Sequence, residues 1–123
     1  MRTCSKCGER KPIKEFYKRS RLNQRFQQCK RCFRAKQAEY KERLWNIVFG
    51  RYGKYCQCCG EVERKFLTID HIEGRRHWKH DKAWGGYAIW LWLVKHNLPD
   101  GFQTLCWNCN LAKGLYGACP HNQ

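Results

Sequence analysis

Four Cys-x-x-Cys pairs, Cys4/Cys7, Cys29/Cys32, Cys56/Cys59 and Cys106/Cys109, take up eight of the chain's 10 cysteines. Two intervening residues let both thiolates of a pair grip one tetrahedral ion from a tight knuckle, so each pair is half of a four-cysteine zinc site. Four pairs imply two closed sites. Cys4, Cys7, Cys29 and Cys32 would form the first, and Cys56, Cys59, Cys106 and Cys109 the second. Zinc held by four thiolates has no open position, so both sites are expected to be structural. Cys58 competes with its neighbours for zinc, but the two-residue spacing favours the outer pair. Cys119 is left spare, and His96 and His121 carry no signal.

A chain of 123 residues makes one compact unit or two small ones, and its apolar residues alone would give a thin core that needs staples. Disulfides are the rival staple, but secreted disulfide domains rarely space cysteines as repeated Cys-x-x-Cys pairs. Met1 and Arg2 lead to Cys4 with no apolar leader segment, and the longest apolar run, Tyr87 to Val94, has 8 residues. About 20 are needed to span a bilayer. The expectation is a soluble protein of a reducing compartment, the cytoplasm.

The formal net charge is +15, and two four-thiolate zinc sites would leave it near +11, by rough count. Residues 1–54 hold 17 Lys and Arg against 4 Asp and Glu, whereas residues 55–123 hold 8 against 6. Such density, interleaved with Phe16, Tyr17, Phe26 and Phe33, points to a polyanion partner. No basic helix has the clean apolar stripe of a membrane anchor.

Along the chain, residues 1–33 read as an N-terminal zinc-binding unit with a basic loop from Arg19 to Arg25. Residues 33–49 lack Gly and Pro and are rich in helix formers, so a basic linker helix is expected within 34–54, ended by Gly50 and Gly53. Its Arg34 and Lys36 are candidates to track phosphates. Residues 55–116 form the second unit. Phe66–Ile69 is a strand candidate leading into Asp70 and His71. Glu73–Gly86 is a polar loop, Tyr87–His96 an apolar helix and Phe102–Leu105 a second strand. Asn108–Leu115 is a short helix, and residues 117–123 are a frayed tail. The fold class is α+β, small and zinc-stapled.

Asp70-His71 lies between the last two cysteine pairs, and Asn110 follows the closing cysteine. Mg²⁺ or Mn²⁺ takes oxygen ligands, which a carboxylate and an amide carbonyl supply, and a histidine titrates near neutrality. That division of labour suits phosphodiester hydrolysis: Asp70 and Asn110 to a metal, His71 to a water. Arg75, Arg76 and Lys113 are candidate phosphate contacts, and His80 and His77 are candidates for phosphate or metal.

The combination Cys56-x-x-Cys59, Ile69-Asp70-His71-Ile72, and Phe102-Gln103-x-Leu105-Cys106-x-x-Cys109-Asn110-x-x-Lys113-Gly114 resembles the HNH endonuclease superfamily. Within it, the chain resembles the phage endonuclease VII-like enzymes. It covers roughly residues 55–116. It implies a ββα-metal, treble-clef-like core with His71 as general base and Asp70 and Asn110 as catalytic-metal ligands. The cofactors implied are Mg²⁺ or Mn²⁺ beside structural Zn²⁺. The partner implied is double-stranded DNA, nicked by a monomer to leave 5′-phosphate and 3′-hydroxyl ends. A phage origin, a host-cell cytoplasmic location and terminase as a candidate partner follow from the resemblance alone. The central Asn of the family falls here near Gly101, so another group, such as a backbone carbonyl, must brace the base.

Two other readings compete. A non-catalytic zinc-stabilised nucleic-acid-binding module explains charge and cysteines but not Asp70-His71 with Asn110. A zinc nucleobase deaminase would use His71-Ile72-Glu73 and Cys106/Cys109. Leu105 stands where that motif wants Pro, and Cys56 and Cys59 would be idle.

Overall fold

The two Cys-x-x-Cys-Gly turns fold alike. The Cys4 N–H donates to the Glu9 carbonyl and the Gly8 N–H to the Cys4 carbonyl, at 2.9 and 3.0 Å. Cys56, Glu61 and Gly60 repeat the pattern at 2.9 and 2.9 Å. Gly8 and Gly60 sit at φ 75° and 81°, in the left-handed region that closes the turn and that a β-carbon disfavours. The chain thus uses one knuckle twice. A computed structural model describes residues 1–19, 24–74 and 87–122. Within these the protein is a small α+β chain of three α-helices and three two-stranded antiparallel sheets. It divides into two units, Met1–Glu42 and Arg43–Gln123. That boundary falls inside the helical segment expected within 34–54.

In the first unit, β1 (Arg2–Thr3) pairs with β2 (Arg10–Lys11), and β3 (Lys18–Arg19) with β4 (Gln24–Arg25). Its buried centre is Phe16 with Cys4 and Cys29, and Cys32 packs beside them. The helix α1 (Lys30–Tyr52) begins directly after Cys29 and runs through both units. It starts earlier than the expected residue 33 because Cys32 lies in its first turn rather than before it. It also continues past Gly50, which the sequence reading took as a stop. Leu44, Trp45, Val48, Phe49 and Tyr52 make one buried stripe. Carrying that stripe to Tyr52, whose hydroxyl donates to the Pro99 carbonyl at 2.6 Å, offsets the roughly 1 kcal/mol cost of a helical glycine. Gly53 then ends the helix at φ 113°. A β-carbon there would lie 2.4 Å from the Gln57 amide nitrogen.

In the second unit, β5 (Leu67–His71) pairs with β6 (Phe102–Cys106), Asp70 opposite Gln103 and His71 opposite Phe102. The strand starts one residue later than expected, since Phe66 belongs to a short 3₁₀ turn, Arg64–Phe66, and is exposed. It therefore includes Asp70 and His71 rather than leading up to them. Alternation puts Leu67, Ile69 and His71 on one face and Thr68 and Asp70 on the other. The helix α2 (Tyr87–Lys95) buries Ile89 and Leu93, four apart on one face. The helix α3 (Trp107–Tyr116) follows β6 without a linker and is closed by Gly117 at φ 81°. The core joins Val48, Phe49, Ile69, Leu93, Phe102 and Leu105 to the cysteines. The tail is not frayed: Pro120–Asn122 forms a 3₁₀ turn and Cys119 is buried. Among the described residues, no helix is long and apolar enough to cross a membrane.

Candidate functional site

The knuckles and helix starts bring the predicted cysteines together. The sulfurs of Cys4, Cys7, Cys29 and Cys32 lie within 4.8 Å of one another, as do those of Cys56, Cys59, Cys106 and Cys109. The Cys59 and Cys106 sulfurs are 3.7 Å apart. A tetrahedral zinc with bonds near 2.3 Å separates two sulfurs by roughly 3.8 Å, so both clusters could hold zinc.

Backbone donors draw down Cys4 and Cys56, while burial pushes the Cys32 and Cys109 thiols up. Cys4 is drawn down to about 5, first by the Cys7 N–H and also by those of Cys29 and Lys6, against the opposing pull of burial. For Cys56 burial acts upward, but the N–H groups of Cys59, Cys106 and Cys58 outweigh it and bring the thiol to about 6. Cys29 and Cys106 each precede the first turn of a helix, α1 and α3. The Cys106 sulfur accepts the Cys109 N–H at 3.5 Å, and free N–H groups at such an end favour an anionic ligand.

A further group escaped the sequence reading. The Cys58, Cys109 and Cys119 sulfurs and a ring nitrogen of His121 also lie within 4.8 Å of one another. Cys119 is therefore not spare, and His121 has a defined place. The local signal was the Cys119-x-His121 spacing beside the extra cysteine in the knuckle.

Asp70, His71 and Asn110 line one cavity of about 660 Å³, walled by the end of β5 and the exposed side of α3. Asp70 and His71 are both buried. The Asp70 Oδ2 accepts from the Gln103 side-chain amide at 2.8 Å and from the Lys113 ammonium at 2.6 Å. The Lys113 ammonium also donates to the carbonyls of His71 and Ile72, at 3.0 and 2.9 Å. Lys113, read as a phosphate contact, is thus engaged with three oxygens, spanning from α3 to β5. The His71 ring lies against Phe102, centroids 5.0 Å apart. Gly101, where the resemblance expects an Asn, has φ 105°, and its carbonyl accepts the Ile72 N–H at 3.0 Å. That bond braces the backbone next to His71.

Lys113→Met keeps the stem but strips Asp70 of its cation and leaves two carbonyls without this donor. The expected loss is about 1.5–3 kcal/mol, read by urea unfolding of the metal-loaded protein. A change under roughly 0.5 kcal/mol, the surface range, would reduce the contact to a surface ion pair.

In the first unit, Lys36 lines a second cavity of about 790 Å³ with Arg2, Arg19 and Arg25, beside Phe26 and Phe33. Those two rings stack at 5.4 Å. Arg34 donates to the Tyr17 hydroxyl at 2.9 Å. Arg75, Arg76, His77 and His80 lie outside the described residues. Cys106 and Cys109 gather with Cys56 and Cys59, and no metal-ligating group among the described residues includes His71, which removes the geometric basis of the deaminase reading. No protein-family model matches the chain, and no curated protein or solved structure matches it either.

Proposed function

We propose that this chain is a metal-dependent DNA endonuclease of the HNH, ββα-metal kind, nicking duplex DNA by phosphodiester hydrolysis. The observation that carries the reading is the shared cavity of Asp70, His71 and Asn110, on a strand and a helix tied to one cysteine cluster. Asp70 and Asn110 would hold Mg²⁺ or Mn²⁺. The residues fit such an ion: both offer hard oxygen atoms, and both line the same cavity. Among the described residues the donors to Asp70 use Oδ2, so Oδ1 would be the atom that meets the metal. When bound, the ion would neutralise charge on the phosphate and the leaving 3′ oxygen.

The protein's own groups do the rest. His71 takes a proton from the attacking water, and products carry 5′-phosphate and 3′-hydroxyl ends. Phe102 against its ring and the Gly101 carbonyl beneath the next residue limit its movement. Gln103 and Lys113 hold the Asp70 carboxylate in one orientation. Cys106 and Cys109 at the start of α3 would hold structural zinc with Cys56 and Cys59, which would fix where Asn110 stands. The reading is tested by nicking of supercoiled plasmid with and without added Mg²⁺ or Mn²⁺, wild type beside His71→Ala.

Duplex binding falls to the first unit, where Arg2, Arg19, Arg25 and Lys36 surround one cavity. Each phosphate neutralised releases counterions, so Arg19→Gln with Lys36→Gln should lower the slope of log affinity against log salt by about 2, near 0.9 per contact. Fluorescence anisotropy without added Mg²⁺ measures it, and an unchanged slope would move the interface elsewhere. Binding with no nicking under any divalent ion would favour the non-catalytic module, which this cavity alone would serve.

A further inference from the structure

The second knuckle holds one cysteine more than a single site uses. Cys58 sits between the two knuckle ligands, and the chain after α3 returns so that Cys119 and His121 reach it. The His121 Nδ1 is 3.7, 3.5 and 3.1 Å from the sulfurs of Cys58, Cys109 and Cys119. A tetrahedral zinc with Zn–S near 2.3 Å and Zn–N near 2.0–2.1 Å would separate sulfur from nitrogen by roughly 3.6 Å. A hydrogen-bond network explains the group less well. Nδ1 of an imidazole offers one lone pair or one proton, and three sulfurs surround it. Four ligand atoms closed around a common centre are what a tetrahedral ion requires.

We propose that Cys58, Cys109, Cys119 and His121 bind a second zinc-class ion in this unit, and that the Cys109 thiolate bridges it to the ion held by Cys56, Cys59 and Cys106. Both groups contain Cys109, which is buried at 1% exposure, so one sulfur must serve both centres. A thiolate has lone pairs enough for two metals. The charge also balances: Cys58 and Cys119 supply two thiolates against the added dication, so the net charge of the centre does not change. The ion would fasten the chain after Gly117 to the knuckle and would grip α3 at the residue before Asn110. This inference does not depend on the nuclease reading, because every readout is a property of the metal centre.

The test is metal content of the full chain, purified with zinc under reducing conditions, by native mass spectrometry and elemental analysis. Three ions are expected, one for each cluster. Cys119→Ala with His121→Ala should retain two. Two ions in the wild-type chain, or three in the double variant, would overturn the site. The bridge is tested without any variant. In the cobalt(II)-loaded chain a shared thiolate couples two high-spin ions antiferromagnetically. The low-temperature EPR intensity should then fall to about that of the one isolated ion in the first unit. Full intensity from three uncoupled ions would overturn the sharing of Cys109.

Discussion

Single-turnover nicking by His71→Ala should fall about 10²–10⁴-fold, the ordinary worth of a positioned general base. Duplex affinity and zinc content should stay near wild type, because His71 belongs to neither the basic cavity of the first unit nor any cysteine cluster. Asp70→Ala and Asn110→Ala should also slow cleavage. In these two the response to added Mg²⁺ or Mn²⁺ should weaken, since each removes an oxygen donor. His71→Ala should keep that response at its lower rate. His71 is buried against Phe102, so the variant is checked by zinc content and circular dichroism before its rate is read. A correctly folded His71→Ala that cuts at the wild-type rate would remove the base and most of the case for this mechanism.

Stripping the metals should unfold the first unit altogether. Among the described residues its buried apolar centre is one ring, Phe16, beside the cysteines. Burying a phenylalanine contributes about 1.5–3 kcal/mol, whereas ordering one residue's backbone costs about 1–2 kcal/mol. A unit of this size therefore depends on the ion, whose binding is worth about 10–16 kcal/mol in isolated zinc fingers. Hydrogen exchange after chelation should show residues 1–29 fully unprotected. The second unit, with Val48, Phe49, Leu93 and Phe102 in its core, should lose the knuckle and α3 first and retain some protection in α2. Persistent protection of residues 1–29 in metal-free protein would mean that something other than zinc holds this unit. Cys106→Ser should reproduce the second unit's part of the result alone.

What could be read from the chain was whatever a short spacing encodes. The Cys-x-x-Cys pairs are local, so both four-cysteine clusters were legible. The ends of elements were less legible. Gly50 reads as a stop until the burial of Tyr52 is known, and Phe66 reads as a strand residue although it turns outward. Contacts between distant residues left almost no trace. Cys58 and His121 stand 63 positions apart, and Lys113 and Asp70 stand 43 apart. Nothing near Lys113 says that its charge is spent on a carboxylate rather than offered to a phosphate.

The repeated knuckle has one more consequence. In both units a Cys-x-x-Cys-Gly turn and a helix opening on a second cysteine pair flank a two-stranded antiparallel sheet, and in the second unit α2 lies between its two strands in the chain. The two sheets differ in how far their residues take part in holding that frame. In the first unit Lys18, Arg19 and Gln24 are exposed, whereas in the second unit Asp70 and His71 are buried and Asp70 is tied to Lys113. A scaffold whose shape is held by ions leaves its display positions free to vary. Substituting Lys18, Arg19 or Gln24 should therefore change the charge of the first unit without rebuilding it, whereas replacing Asp70 should disturb the second.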